Sequence, residues 1–254
     1  MRLNKFIVVL LLMVALITAC SREGFEESLN RKASSNSSSQ NVPAENVPDN
    51  SAFVFDFDIG EVTEEGVYLY YALARAQSDE AEAAAASISE KIHSAMFNFK
   101  DKLTQGKTVY KLNVFDAITR NDGSYFSTMY QADFRSAKDA PKEYYGFGLV
   151  FDAQTGEMTG IDAILDAKAL AALLLDEQTA KINEKDDTLL KKKRDYLNEQ
   201  GAKKLAQRLT YPDGIVTIER LMDASFYLDG TRLTAVFSAP QDIGGIIEVS
   251  VTLQ

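Results

Sequence analysis

The sequence is short of the residues from which most enzyme and metal sites are built. In 254 residues it has one cysteine, Cys20, one histidine, His93, and no tryptophan. A single cysteine excludes an internal disulfide and any cysteine-based zinc site. A single histidine excludes a multi-histidine metal centre and any two-histidine mechanism. Basic residues are also in the minority: 27 Lys and Arg stand against 37 Asp and Glu, giving a formal net charge of -10. Nucleic-acid binding calls for a basic stripe or patch, so no nucleic-acid partner is expected. The rest is ordinary globular composition, 46% hydrophobic and 25% charged, enough for one sizeable domain.

The N-terminus carries the strongest local pattern. Arg2 and Lys5 precede a nearly unbroken apolar run over residues 6–17, then Ile17, Thr18, Ala19 and Cys20. The run has the length of a signal-peptide core and is shorter than the roughly 20 residues of a membrane span. Small residues followed by a free thiol resemble a bacterial lipobox. The expectation is a signal peptide over residues 1–19, cleavage before Cys20, and diacylation of the Cys20 thiol. Two acyl chains anchor a protein stably. Losing Arg2 and Lys5 leaves 25 basic and 37 acidic residues, a net -12, so an anionic lipid surface repels the body it anchors. Residues 20–50 hold the run from Ala33 to Gln40, rich in serine. Such a segment has too little apolar area to offset ordering entropy and reads as a tether. The expected location is the cell membrane or outer membrane, facing the extracytoplasmic side.

Residues 51–254 are expected to fold as one α+β unit, or as two subdomains meeting near residue 140, with mostly antiparallel sheet packed against about three helices. Alternating aromatic and acidic residues over 52–58 predict a strand, with Phe53, Phe55 and Phe57 on one face and Asp56 and Asp58 on the other. Residues 67–71 predict a second. Ser78, as N-cap, and the acids after it open a helix over 79–103, whose Ile88, Ile92, Met96, Phe99 and Leu103 recur at spacings of three and four. A hairpin over 109–134 turns at Asn121, Asp122 and Gly123. A strand over 144–152 ends in a turn at Gln154, Thr155 and Gly156. Two helices follow, the second over about 188–209, and a β-meander closes the chain. Strands, then helices, then strands is an α+β order.

This order resembles the paired domains of unknown function found outside the membrane in lysozyme-sensing anti-sigma factors. The same pair occurs beside the catalytic domain of some peptidoglycan deacetylases and in standalone bacterial lipoproteins. The matching stretches are helix 88–99, hairpin 115–130 and strand 145–152 with Thr155 and Gly156. Residues 161–165, 226–230, 233–237 and 245–251 complete them. The resemblance implies a binding or scaffold role with a partner in the cell envelope, such as a basic muramidase-like protein.

Candidate chemistry is sparse. His93 has no Gly-x-Ser-x-Gly elbow or cysteine to work with, and it reads as structural. Asp56 and Asp58 share a strand face but are explained by an edge strand with an acidic solvent side. No catalytic residue, metal or cofactor is expected. Lys191, Lys192, Lys193, Arg194, Lys203, Lys204 and Arg208 make the second helix basic, with acids interspersed, as on a solvated face. Tyrosine joins apolar area to a hydroxyl, and Tyr68, Tyr70, Tyr125, Tyr130, Tyr144 and Tyr145 form a candidate binding surface. The expected function is a lipid-anchored extracytoplasmic binding or scaffold protein, not an enzyme. The alternatives are a carboxylate-dependent envelope hydrolase and a solute-binding lipoprotein.

Overall fold

The alternating segments form nine strands that sort into two sheets among the residues described by the computed structural model, 50–211 and 216–253. Cys20 and the tether lie outside the described residues. The unit running from Asp49 to Gln254 holds every described element and both hydrophobic cores. It carries its own packing and is α+β.

The first sheet has the order β1 (Asp56–Glu64), β2 (Val67–Arg75), β3 (Lys111–Asn121), β4 (Tyr125–Arg135), β5 (Glu143–Asp152). All neighbours are antiparallel except β2 and β3, which pair in parallel over only three residue pairs, Val67–Leu112 to Leu69–Val114. A parallel pair needs a crossover, supplied by α1 (Glu82–Thr104). Its residues Ile88, Ile92, Met96, Phe99 and Leu103 are all buried on one face of the sheet, against Leu69, Leu112, Val114, Tyr130 and Phe147. Phe99 meets Phe147 edge-on at 5.0 Å between centroids, and Phe147 stacks on Tyr130 at 5.1 Å.

The second sheet has the order β6 (Lys181–Ile182), β9 (Ile246–Thr252), β8 (Arg232–Ser238), β7 (Ala224–Asp229), all antiparallel. Helices α2 (Ala167–Leu175) and α3 (Asp187–Leu209) cover one face of it, and α4 (Ile218–Asp223) leads into β7. Leu170, Leu174, Leu197, Leu205 and Leu209 bury against Phe226, Leu228, Leu233, Phe237, Val249 and Val251. Asp166 caps α2 by accepting from the Lys168 and Ala169 amides, and Asp186 caps α3 by accepting from the Leu189 amide.

The two sheets meet through β7, which steps across the face of the first sheet that α1 leaves free. Gly148 N–H on β5 donates to Ser225 Oγ at 2.9 Å, Leu228 N–H donates to Ser127 Oγ on β4 at 2.9 Å, and Arg120 on β3 donates to Gly230 O at 3.1 Å. This approach requires glycine on β5, because a Cβ at Gly148 would overlap the Phe226 carbonyl. The seam is polar. Glu248, almost fully buried, accepts from Gln131 Nε2 at 3.0 Å and Asn183 Nδ2 at 2.8 Å, and Thr234 and Ser250 bond each other at 2.8 Å. Burial there pushes the Tyr227 hydroxyl up to about 12.

Several local expectations are corrected. The first strand begins at Asp56, after a short 3-10 turn at Ser51–Phe53. Phe55 does not share a face with Phe57: it is buried, with its backbone N–H and C=O both held by the Asn121 side chain. Ser78 does not cap the first helix; its hydroxyl bonds Ala52 O, and a 3-10 turn at Asp79–Ala81 leads into α1. Helix α3 is broken at Gly201, whose φ of 70° is a left-handed value that glycine tolerates best. Residue 140 is not where the sheets divide, since β5 lies beyond it and belongs to the first sheet.

Candidate binding surface

The face of the first sheet turned away from α1 has two halves. Over β4 and β5 it carries Ser127, Gln131, Gly146 and Gly148 and is covered by the second sheet. Over β1, β2 and β3 it carries Phe57, Ile59, Tyr68 and Phe115, all exposed, and half-buried Tyr70. Six large hydrophobic side chains are exposed among the described residues, and five of them (Phe57, Ile59, Tyr68, Phe115 and Tyr144) lie on this one face. Ile59 is 62% exposed and Phe57 49%. Exposed apolar area concentrated on one face, not scattered, is the mark of an interaction surface.

The cross-strand register fixes what accompanies these rings. Thr63, Tyr68, Asn113, Asp133 and Tyr144 form one row across all five strands. Asp133, between Asn113 and Tyr144, accepts from Asn113 Nδ2 at 2.7 Å and from Lys142 Nζ at 3.2 Å. Lys111 stands over the Tyr68 ring at 5.9 Å. The backbone of Tyr144 is clamped by one side chain: Gln241 Oε1 accepts from its N–H at 2.9 Å, and Gln241 Nε2 donates to its C=O at 3.2 Å.

The six tyrosines singled out in the sequence therefore separate. Tyr68, Tyr70 and Tyr144 share the open face. Tyr125 lies on the same side but beneath Arg120, whose guanidinium sits 5.0 Å from its ring. Tyr130 points the other way and is fully buried under α1, so it presents nothing to a partner. Tyr145 also faces the α1 side, where burial and a short hydrogen bond to Glu143 push its hydroxyl well above the usual phenol range. Phe57, Ile59 and Phe115 belong to the surface and were missed, although their alternation with acids was the available signal.

A row of titratable groups lies on the α1 side. Tyr71 sits opposite Gly60, its ring filling the space a Cβ there would need, and its hydroxyl meets His93 Nδ1 at 2.8 Å. Past Leu69 and Val114 the β2–β3 ladder stops, and Asp116 Oδ2 accepts the Ala72 N–H at 2.7 Å in its place. Burial lifts the Asp116 carboxyl to about 6 against these backbone hydrogen bonds, which lower it. Tyr130 is opposite Asp116, and burial raises its hydroxyl far above the usual range. His93 itself is exposed at the rim, against Phe97 at 4.5 Å.

Other features are accounted for by packing. Lys193 is buried in an ion pair with Glu184 at 2.8 Å, which holds the Glu184 carboxyl down at about 2. Arg194 bonds the carbonyls of Leu174 and Ala180, and Arg208 bonds Asp223 and Ser238. Three of the seven basic residues of that helix are thus spent internally. Asp56 and Asp58 share a face as expected and both pair with Arg75, at 3.2 and 3.3 Å. Among the described residues no group of three or more His, Cys, Asp or Glu is placed to hold a metal. An open cleft of about 730 Å³ runs between the solvent side of α1 and residues 216–221, and another of about 760 Å³ lies between α2 and the end of α3.

The fold and this surface define a two-sheet α+β domain with one half-covered sheet face. No family model matches the chain, and no curated protein matches it. Among solved structures it is similar to a DUF3298 family protein from Pseudomonas aeruginosa PAO1, at 9% identity and a TM-score of 0.40, covering 78% of this chain and 90% of that one. It is also similar to a DUF3298 family member from Bacteroides fragilis NCTC 9343, at 12% identity and a TM-score of 0.41, with the same coverages.

Proposed function

We propose that the protein is a lipid-anchored, extracytoplasmic binding or scaffold protein of the bacterial cell envelope. It acts without catalysis and contacts its partner through the open face of the first sheet. The observation that carries this reading is the placement of Phe57, Ile59, Tyr68, Phe115 and Tyr144 on one uncovered face. Buried catalytic groups would be held in a cleft, whereas a row of exposed rings suits a macromolecular surface. Residues 50–254 hold 22 basic and 32 acidic residues, so the field around the domain steers a basic partner. A muramidase-like protein, basic and active on the envelope, fits that description. The anchor in this reading is the acylated thiol of Cys20, and the tether over residues 21–50 holds the domain clear of the lipid.

Calorimetry of the unit 49–254 with a basic lysozyme, at low and at physiological salt, tests the partner. Binding that persists at physiological salt is expected, since specific contacts survive screening. Binding lost with salt is charge attraction alone and removes the muramidase-like partner. Membrane fractionation of cells carrying the Cys20→Ala chain tests the anchor, and a chain that still fractionates with membrane overturns it.

A further inference from the structure

We propose that β1 takes up, along its free edge, an extended segment of a partner protein in which basic and large apolar residues alternate. This deepens the binding reading above by stating how the partner docks.

A sheet edge is a row of unsatisfied backbone donors and acceptors, and proteins ordinarily blunt it. Among the described residues, three of the four sheet edges are blunted. At β5, Gln241 takes the N–H and C=O of Tyr144 at one end. At the other end, residues 157–159 return along the strand: Asp152 N–H donates to Glu157 O and Thr159 N–H to Val150 O. β6 is two residues long. β7 is laid across the first sheet and bonded to Gly148 and Ser127. Among the described residues, β1 has none of these devices. It is nine residues long, in unbroken register with β2, without proline, lysine or arginine. Among the described elements, β2 is the one it packs against extensively. At strand rise it offers about 30 Å of edge.

The pleat determines what fits there. Phe57 and Ile59 project to one side of β1, and Asp56 and Asp58 to the other, where Arg75 and Gln77 hold them only in exposed contacts. An added strand places its side chains directly beside these. Large apolar residues therefore belong on the Phe57 side, and lysine or arginine on the Asp56 side. The pattern also argues against a second copy as occupant. β1 carries Asp56, Asp58, Glu61 and Glu64 and no basic residue, so pairing β1 with another β1 sets like charges against each other. Strand addition takes its affinity from main-chain hydrogen bonds and its specificity from alternate side chains.

The test uses the unit 49–254 and a fluorescent peptide alternating lysine and valine, read by anisotropy at physiological salt. Saturable binding is expected. A peptide of the same composition with lysines and valines in separate blocks should bind about tenfold or more weakly, and one N-methylated at every second residue on its pairing edge should not bind. Phe57→Lys with Ile59→Lys in the protein should weaken the alternating peptide by about tenfold or more with an unchanged melting temperature, because both side chains are exposed. Equal affinity for the block or N-methylated peptide, or for the double variant, overturns the proposal. So does a wild-type dimer in sedimentation that the double variant dissolves, since the occupant is then a second copy. If a basic lysozyme binds wild type and double variant equally, the strand-addition mode fails while the basic-partner reading stands. Peptide binding as expected, with lysozyme silent, leaves the mode standing and removes that partner.

Discussion

The two halves of one sheet face have met opposite fates. On β4 and β5 the second sheet lies directly on Ser127, Gln131, Gly146 and Gly148, although Tyr125, Met129, Tyr144 and Val150 share that side. On β1 to β3 the outward residues include Phe57, Ile59, Tyr68, Tyr70 and Phe115, and among the described residues these rings and Ile59 stay exposed or half-buried. Hydrophobicity alone would assign the covered area to the second half. Backbone approach decides otherwise: Phe226 reaches β5 because Gly148 leaves room, and β7 stays in place because Ser127 and Ser225 satisfy its buried donor and its neighbour's. Contact within the molecule is marked by glycine and serine, while large exposed rings mark the area left for something else.

The sharpest way to break this contrast is to make the covered half resemble the open one. Gly148→Val places a branched side chain against the Phe226 carbonyl. It should cost more than about 3 kcal/mol by urea denaturation, as severe overpacking with backbone displacement does. Next comes the join between β2 and β3, within the open half. Asp116 bridges the point where β2 and β3 part, and its folded-state value of about 6 lies above the ordinary 3.8. The folded protein therefore holds this proton more tightly than the unfolded chain. Its contribution to stability is present below the unfolded value and is lost as pH rises from about 4 through 6, by up to about 3 kcal/mol. Asp116→Asn should flatten that slope and raise stability at pH 8, measured by thermal melts across pH. A smaller effect is expected from Ser127→Ala, which leaves the buried Leu228 N–H without its acceptor, at about 1–3 kcal/mol. On the open half, Phe57→Lys with Ile59→Lys should change stability by no more than about 0.5 kcal/mol in the same assay. A large loss there would mean that the open half is part of the core.

What the sequence disclosed follows from which signals are local. Helix α1 was legible because Ile88, Ile92, Met96, Phe99 and Leu103 repeat at helical spacing against a single sheet. The hairpin at Asn121 to Gly123 was legible because turn geometry selects its residues. Tyr130 was misplaced because β4 is buried on both faces around Ser127 and Thr128, so its alternation does not distinguish inside from outside. Knowing that requires the second sheet, whose strands begin about fifty residues later. Phe55 went astray because Asn121, far along the chain, captures its backbone. The short helix α4 has too few turns to show a period. Phe57 and Ile59 were hidden for a related reason: a phenylalanine beside aspartates reads as half-buried until its strand is seen to lie at the edge of the sheet.

The three-residue parallel join between β2 and β3 has a consequence for motion. The hairpin of β1 and β2 pairs with β3 by backbone ladder only at its turn end, supplemented by the Asp116 bond and by Asn121 on Phe55, whereas β4 has a full ladder on both sides. Its outer strand β1, exposed or half-buried throughout, is the part able to open locally, whereas Val67, Leu69 and Tyr71 keep β2 in the core. In deuterated water the amides of β1 should exchange well ahead of those of β4. A partner strand seated on β1 would close that gap, so occupancy of the surface would be recorded as slowed exchange on β2, a strand the partner never touches.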